Sequence, residues 1–435
     1  MKMTEYSSEL LREHYYRMEH SSGLPIYVFP KALTTAYALF AVNYGSMDNA
    51  FCLSDGQSPV CVPDGIAHFL EHKLFENEDG TDAFAQFAAI GADANAYTSY
   101  DRTAYLFSTT EGFDKALEEL LRFVTHPHFT DASVKKEQGI IAEEIRMYED
   151  SPWERSFRIL LESMYENCPV RINVCGSEES ISKITPTLLY DCYRTFYNPA
   201  NMILAVCGDV TPEQVMAVAD RALPADFLPR TVCRAPFSER CGVVKAYAED
   251  TMQVAKPIFC IGIKDPEVQS DPILRMRRDF CMALLDEILF SRAGEFYNGL
   301  FERGILTPSF GFGYSCSDRF AFHCLSGETD VPETVLEELK AYLDRVRREG
   351  IDGEAFERCR RVMYADEICA YDSSEEIANR LLSFAMDGVD MFSCPDLLQS
   401  ITKEELESLL MTAFDESYFS MVVIRPANTN NKEGE

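Results

Sequence analysis

Gly65-Ile66-Ala67-His68-Phe69-Leu70-Glu71-His72 is the stretch from which the rest of this chain can be read. It has the form His-x-x-Glu-His inside an amphipathic run from about Pro63 to Phe75. Pro63 and Asp64 are residues that start helices, the one for its fixed φ and the other as an N-cap oxygen. On a helix, His68 and His72 stand one above the other on one face, where two imidazoles can share a zinc ion. Glu71 precedes the second histidine, so its carboxylate lies beside the metal, placed to take a proton from an attacking water. The more familiar zinc helix is His-Glu-x-x-His; here the order is inverted. Only seven histidines occur in 435 residues, and at that frequency the pattern arises by chance in roughly one chain in a hundred. The competing reading is a pair of half-buried histidines on a helix that packs for structural reasons alone.

A catalytic zinc takes three protein ligands and keeps a fourth position open. Downstream lies Lys136-Glu137-Gln138-Gly139-Ile140-Ile141-Ala142-Glu143-Glu144-Ile145, on a helix expected from Thr130-Asp131 to about Tyr148. Glu137 and Glu144 are two helical turns apart and face the same way, while Glu143 points elsewhere. Spacing alone leaves both glutamates open as the third ligand.

The length favours two or three domains over one core. A net charge of −31 argues against a nucleic-acid partner, which needs a basic stripe. The first residues carry charges and no apolar h-region, and no uncharged apolar stretch is long enough to span a bilayer, so neither a signal peptide nor a membrane helix is expected. The cysteines number fifteen, show no Cys-x-x-Cys, and often sit in apolar runs such as Ile203 to Cys207. They read as reduced core thiols of a cytoplasmic protein.

Along the chain, residues 1–25 read as a polar lead-in. Strands follow at 25–29 and 36–44, then the histidine helix, a short helix at 82–90 and a hairpin at 94–108. Helices at 113–125, 130–148, 151–166, about 181, 188–196 and 211–223 surround a buried strand at 202–208. Residues 224–241, with Pro224, Pro229 and Pro236, read as a linker. The second half repeats the sequence of events, with strands at 242–248 and 257–263, a long helix at 271–289, a hairpin at 309–327, several helices and a closing strand at 418–424. The fold class is therefore α+β with two homologous halves. The expected domains are 1–228 with the histidine pair, a linker 229–241, and 242–435 without it, since the last carries a single histidine, His323.

The inverted motif, the glutamates seven apart and the 72 positions from His72 to Glu144 together resemble the insulinase/pitrilysin family of zinc peptidases, the inverzincins. The resemblance extends over nearly the whole chain. It implies two α/β-roll halves, each a mixed sheet packed by helices, arranged as a clamshell as in the processing peptidases. It implies Zn²⁺ held by His68, His72 and Glu144, with Glu71 as catalytic base and Glu137 orienting a ligand histidine. Asn95-Ala96-Tyr97 matches the family's edge strand, which pairs with the substrate backbone.

One departure stands out. The family often carries in its second half an arginine and a tyrosine seven apart that hold the substrate. Alignment on Gly304 puts Leu300 and Thr307 there, and a shift of three gives Arg303 and Phe310, leaving Tyr314 as another candidate. Some members draw the pair from a zinc-free sister chain, which implies a heterodimer. The expected activity is that of a zinc metalloendopeptidase acting on peptides or short unfolded polypeptides. Its rivals are a non-catalytic peptide-binding or scaffold subunit of a modification or maturation pathway, and a zinc hydrolase of another class such as an amidase.

Overall fold

The computed structural model describes residues 2–52, 59–78 and 80–427. The chain forms two compact units, each assembled from three stretches. The first comprises Met1–Ile145, Asn173–Pro236 and Glu367–Cys394, and the second Arg146–Ile172, Phe237–Asp366 and Pro395–Glu435.

The first unit holds a seven-stranded sheet in the order Met3–Ser8, Glu13–Glu19, Pro25–Pro30, Met202–Gly208, Ala36–Val42, Thr103–Thr109, Ala92–Thr98. Only Pro25–Pro30 and Met202–Gly208 run parallel. The second unit holds five strands in the order Tyr247–Met252, Phe419–Pro426, Ile258–Lys264, Ala321–Glu328, Gly311–Cys316, again with only the first two parallel. The last five strands of the first sheet thus repeat the order and directions of the second, and the α+β duplication expected from the sequence is present. The N-terminal hairpin, Met3–Ser8 with Glu13–Glu19, was not expected. Its charged residues mask the alternation, although Tyr15 and Met18 are buried.

The boundaries expected from the sequence need correction. Helix Pro152–Met164 of the first half packs on the second sheet, and helix Ser374–Asp387 of the second half packs on the first. The physical reason lies in the central strands. Ala36–Val42 and Ile258–Lys264 are buried at every position, so each sheet needs helices on both faces, and one face is covered by a helix from the other half. In the second unit the close approach depends on Gly262, where a Cβ would lie 2.4 Å from Met164 Sδ. The expected linker is also more than a connection: Cys233–Arg234 pairs with Ala50–Cys52, which pairs with Val60–Cys61, giving a small three-stranded sheet.

Candidate metal centre

The histidine helix spans Ile66–Leu74. Its start differs from the expectation: Gly65, not Asp64, is the N-cap, in the left-handed region at φ 86° and without a side-chain cap. Asp64 instead accepts a hydrogen bond from Asn49 Nδ2 at 2.9 Å. A backbone crossing explains the glycine. A Cβ on Gly65 would lie 2.3 Å from the Cys175 carbonyl oxygen, and one on Gly176 would lie 2.4 Å from that of Asp64. Two glycines thus let the loop before the helix and the loop at 173–176 touch through their backbones. That contact fixes the end of the helix that carries His68.

His68, Glu71 and most of the helix are buried. The glutamates come from helix Asp131–Glu149, where Val134, Glu137, Ile141 and Ile145 form one buried stripe. Glu137 occupies a position in that stripe that an apolar residue would normally fill, and it faces the histidine helix. Glu144, two turns on, lies at the edge of the stripe and is half-buried, while Glu143 is exposed.

Side-chain ligand atoms of His68, His72 and Glu144 all lie within 4.8 Å of one another. The Glu144 carboxylate spans the two rings, with Oε1 3.6 Å from His68 Nε2 and Oε2 3.5 Å from His72 Nε2. Glu137 Oε1 lies 3.1 Å from His72 Nδ1. That contact holds the Nδ1 proton and leaves Nε2 as the lone-pair donor turned toward Glu144. Burial, and next the neighbouring His72, push His68 down to about 3, so His68 is neutral and able to ligate. Burial also acts to lower His72, but the Glu137 hydrogen bond and the charges of Glu71, Glu137 and Glu144 outweigh it and raise the imidazole above its ordinary value. Two imidazole nitrogens and a carboxylate, gathered at one half-buried point and steered by an acidic partner, fit a divalent zinc ion in its preferred donor set.

Glu71 sits beside this cluster and is raised above the usual carboxylate range. Burial is the main cause and Glu144 adds to it, against the lowering effects of a Thr98 hydrogen bond and of His72. Thr98 Oγ1 donates to Glu71 Oε2 at 2.5 Å. Sequence reasoning missed Thr98, although it ends the strand that contains Asn95, Ala96 and Tyr97. It also missed Cys175, whose sulfur lies 3.9 Å from His68 Nε2. No local pattern links residues so far apart in the chain.

Strand Ala92–Thr98 is the edge of the first sheet, paired on one side with Thr103–Thr109. Asn95 and Ala96 line a cleft of about 450 Å³ together with Glu71, His72, Phe75 and Glu137. Tyr97 is not among the residues that line it, and packs instead against the apolar cluster on the face covered by helix Ser374–Asp387. Asn95 Oδ1 accepts the Ala96 N–H at 2.9 Å. In the second unit Leu300 and Phe310 are buried in the core. Arg303 is exposed and pairs with Glu338 at 2.7 Å. Tyr314 donates to Asp265 Oδ2 at 2.7 Å, and Asp265 also binds Arg278.

The family model for insulinase (peptidase family M16) matches residues 63–178, which include the whole cluster, and the model for the M16 inactive domain matches residues 183–363. The chain is 38% identical over 413 residues to the uncharacterized zinc protease YmfH of Bacillus subtilis, covering 94% of this chain and 96% of that one. The chain belongs to the insulinase family of peptidases. A solved M16-like peptidase from Alicyclobacillus acidocaldarius matches this insulinase-family chain with a TM-score of 0.92 at 32% identity, over 97% of this chain and 100% of that one. A protease from Helicobacter pylori shares the fold, with a TM-score of 0.82 at 18% identity over 95% of this chain and 100% of that one. The chain's two halves thus match two different family models, and His68, Glu71 and His72 fall within the first. No helix among the described residues is long and apolar enough to cross a membrane.

Proposed function

We propose that this chain is a zinc-dependent endopeptidase that hydrolyses peptides or short unfolded polypeptides. The observation that carries the reading is the convergence of His68, His72 and Glu144, with Glu71 held beside them by a hydroxyl from the edge strand. His68 and His72 would hold Zn²⁺ through Nε2 and Glu144 through its carboxylate, with Glu137 fixing the His72 ring. A bound zinc supplies a Lewis acid that polarises the scissile carbonyl and lowers the pKa of water.

Glu71 then acts as the base. Its raised proton affinity suits it to accept a proton from the attacking water and to return it to the leaving amine. Thr98 positions that carboxylate. The edge strand at Asn95 and Ala96 offers backbone groups to an extended chain, which favours a peptide over a compact substrate. Pairing would require Asn95 Oδ1 to release the Ala96 N–H that it now holds.

The reading includes a partner. Arg303 is engaged with Glu338 and Phe310 is buried, so neither supplies a free group to hold a substrate carbonyl. A zinc-free sister chain of the same build would supply the missing arginine and tyrosine in a heterodimer. Donors of that kind contribute about 10²–10³ in rate. A cytoplasmic location completes the reading and rests on the described cysteines, none of which forms a disulfide.

The test is cleavage of a quenched peptide library by the purified chain, with and without chelator and with and without the sister chain. Cleavage that disappears on chelation and returns with zinc supports the peptidase. Stimulation by the sister chain, lost when its arginine is replaced, supports the heterodimer. Peptide binding without cleavage under every condition would instead favour a scaffold subunit.

A further inference from the structure

Three of the fifteen cysteines meet on one face of the small sheet, and none of them takes part in the metal centre. Ala50–Cys52 is the middle strand, with Cys233–Arg234 on one side and Val60–Cys61 on the other, both antiparallel. Residues directly opposite each other share a face, as do residues two apart on one strand. Cys233 stands opposite Cys52, and Cys61 stands opposite Ala50, so the three thiols lie on the same side. The other side carries Phe51, which is fully buried with its ring 4.7 Å from that of Phe196. The thiol face is toward solvent: Cys61 and Cys233 are exposed and Cys52 is half-buried.

The register of Cys233 is well anchored. The neighbouring Arg234 lies with Nε 2.8 Å from Oδ1 of the buried Asp48, and its guanidinium sits 5.6 Å from the Phe196 ring. Ala235 N–H donates to the Ala50 carbonyl at 2.9 Å. That bond marks Ala50 and Ala235 as a hydrogen-bonded pair. Cys52 and Cys233, two positions along, are then another such pair, with Cα atoms about 5.5 Å apart. The Cβ atoms of such a pair stand about 5.5 Å apart and must draw in to roughly 3.5–4.5 Å to close the bond, which leaves it readily reducible, while the Cα separation is already inside the range a disulfide requires. Cys61 is diagonal to Cys52, at about 7–8 Å, and outside it.

We propose that Cys52 and Cys233 are a reversible oxidation site that closes to a disulfide when a hydroperoxide reaches this face. The exposed Cys233 thiolate attacks the peroxide oxygen, giving a sulfenic acid and, for hydrogen peroxide, one water. The Cys52 thiol then attacks that sulfur, the S–S bond forms and a second water leaves. Two thiols lose two protons and two electrons, and one peroxide becomes two waters. A dithiol reverses the bond by exchange. The bond would tie the chain to the first unit just before Pro236–Phe237, where it passes into the second.

The test is to treat the full-length protein with hydrogen peroxide, alkylate it and map its peptides without reduction. The expected product is a Cys52–Cys233 cross-linked peptide, a loss of two titratable thiols per chain and complete recovery in dithiothreitol. Cys61→Ser should keep the cross-link and Cys233→Ser should lose it. Thermal unfolding gives an independent readout: oxidation should raise the midpoint in the wild type and in Cys61→Ser, and leave Cys233→Ser unmoved. Oxidation of Cys61 ahead of the other two, a Cys52–Cys61 link, or recovery of unlinked Cys52 and Cys233 after peroxide each overturns the proposal. The mapping needs only the wild type, so a variant that fails to fold does not shelter it.

Discussion

In the first unit His68 and His72 stand on a nine-residue helix beside a cleft, with their Nε2 atoms turned toward a half-buried glutamate. In the second unit the histidine is His323, in the middle of strand Ala321–Glu328, with no exposed surface. Its Nδ1 lies 2.8 Å from Asp286 Oδ1, and the rings of Tyr314 and Phe414 flank it at 4.7 and 5.0 Å. Both sites contain an imidazole steered by a carboxylate, and the units that hold them share one strand order. The difference is where the second ring nitrogen points. In the first unit it meets two further donors. In the second, His323 Nε2 and Asp286 Oδ2 are buried without a polar partner among the described residues. The duplicated scaffold therefore repeats the strand order without repeating the place of the histidine, which stands on a helix in one unit and on a strand in the other. Chemistry additionally needs a second helix that brings carboxylates to the same point and an opening through which substrate arrives.

The largest expected effect tests that contrast directly. His72→Ala should strip the chain of metal and abolish peptide cleavage, whereas His323→Ala should retain about one zinc per chain. The second variant loses the packing against Tyr314 and Phe414 and leaves the buried Asp286 carboxylate without its partner, which costs about 3–5 kcal/mol of stability. Elemental analysis of both variants, with urea unfolding of the second, decides the matter. Zinc retained in His72→Ala, or lost in a folded His323→Ala, would break the comparison.

Next in size is the base. Glu71→Gln keeps the shape and can still accept the Thr98 hydrogen bond, but it cannot take up a proton at neutral pH. Turnover should fall by about 10²–10⁴-fold with the metal content unchanged. A Glu71→Gln protein that turns over peptide normally would move the base to another group.

How far the sequence reveals these features depends on the range over which each is determined. Helix Phe113–Thr125 was legible to the residue, because its leucines recur at helical spacing and Pro127 follows. His68, Glu71 and His72 are legible because one helical turn contains them. Glu144 needed a resemblance, since spacing alone could not choose it over Glu137. The structure separates their placement, with Glu137 on the Nδ1 side of His72 and Glu144 across both Nε2 atoms. The exchange of helices Pro152–Met164 and Ser374–Asp387 was not legible. An amphipathic pattern says that a face is buried and not which sheet buries it. Strands Ala50–Cys52 and Val60–Cys61 are too short to show a period, and Cys233–Arg234 lay in what read as linker.

A smaller effect sharpens the division between Glu137 and Glu144. Glu137→Gln removes the charge that holds the His72 tautomer but no ligand atom. It should weaken zinc by about 10–100-fold, as loss of a partner behind a ligand histidine does, while leaving the metal stoichiometry intact at saturating zinc. Glu144→Gln should lower the occupancy itself. Competition with a chromophoric chelator measures both, and equal losses would mean that the two glutamates share one role.

The smallest effect concerns the exchanged helices, which the two units secure differently. Helix Ser374–Asp387 ends in a left-handed glycine, Gly388, and just beyond it Asp390 accepts the Tyr15 hydroxyl at 2.9 Å over an apolar cluster. Helix Pro152–Met164 also buries Leu160, Leu161 and Met164, but its C-terminal end is secured by charge. The Glu239 carboxylate accepts the backbone N–H groups of Glu166, Asn167 and Cys168 at 3.2, 2.7 and 2.7 Å. Lys264 Nζ donates to Glu239 at 3.0 Å and to the Met164 carbonyl at 3.1 Å. Burial acts to raise Glu239, but these donors outweigh it and hold the carboxyl down at about 2, below its ordinary 4.5. A group whose pKa is lower in the folded chain stabilises fully above its unfolded value and loses that contribution as the pH falls through its folded value. Glu239 should therefore support the second unit above about pH 4.5 and cease to do so by about pH 2. Glu239→Gln should cost about 1 kcal/mol at neutral pH, the scale of a partly solvent-screened pair, and the gap from wild type should close on acidification through that window. Urea midpoints at a series of pH values measure the gap. A difference that persists unchanged at pH 2 would assign the clamp to the shape of the side chain, and the two helices would then be held by the same kind of force.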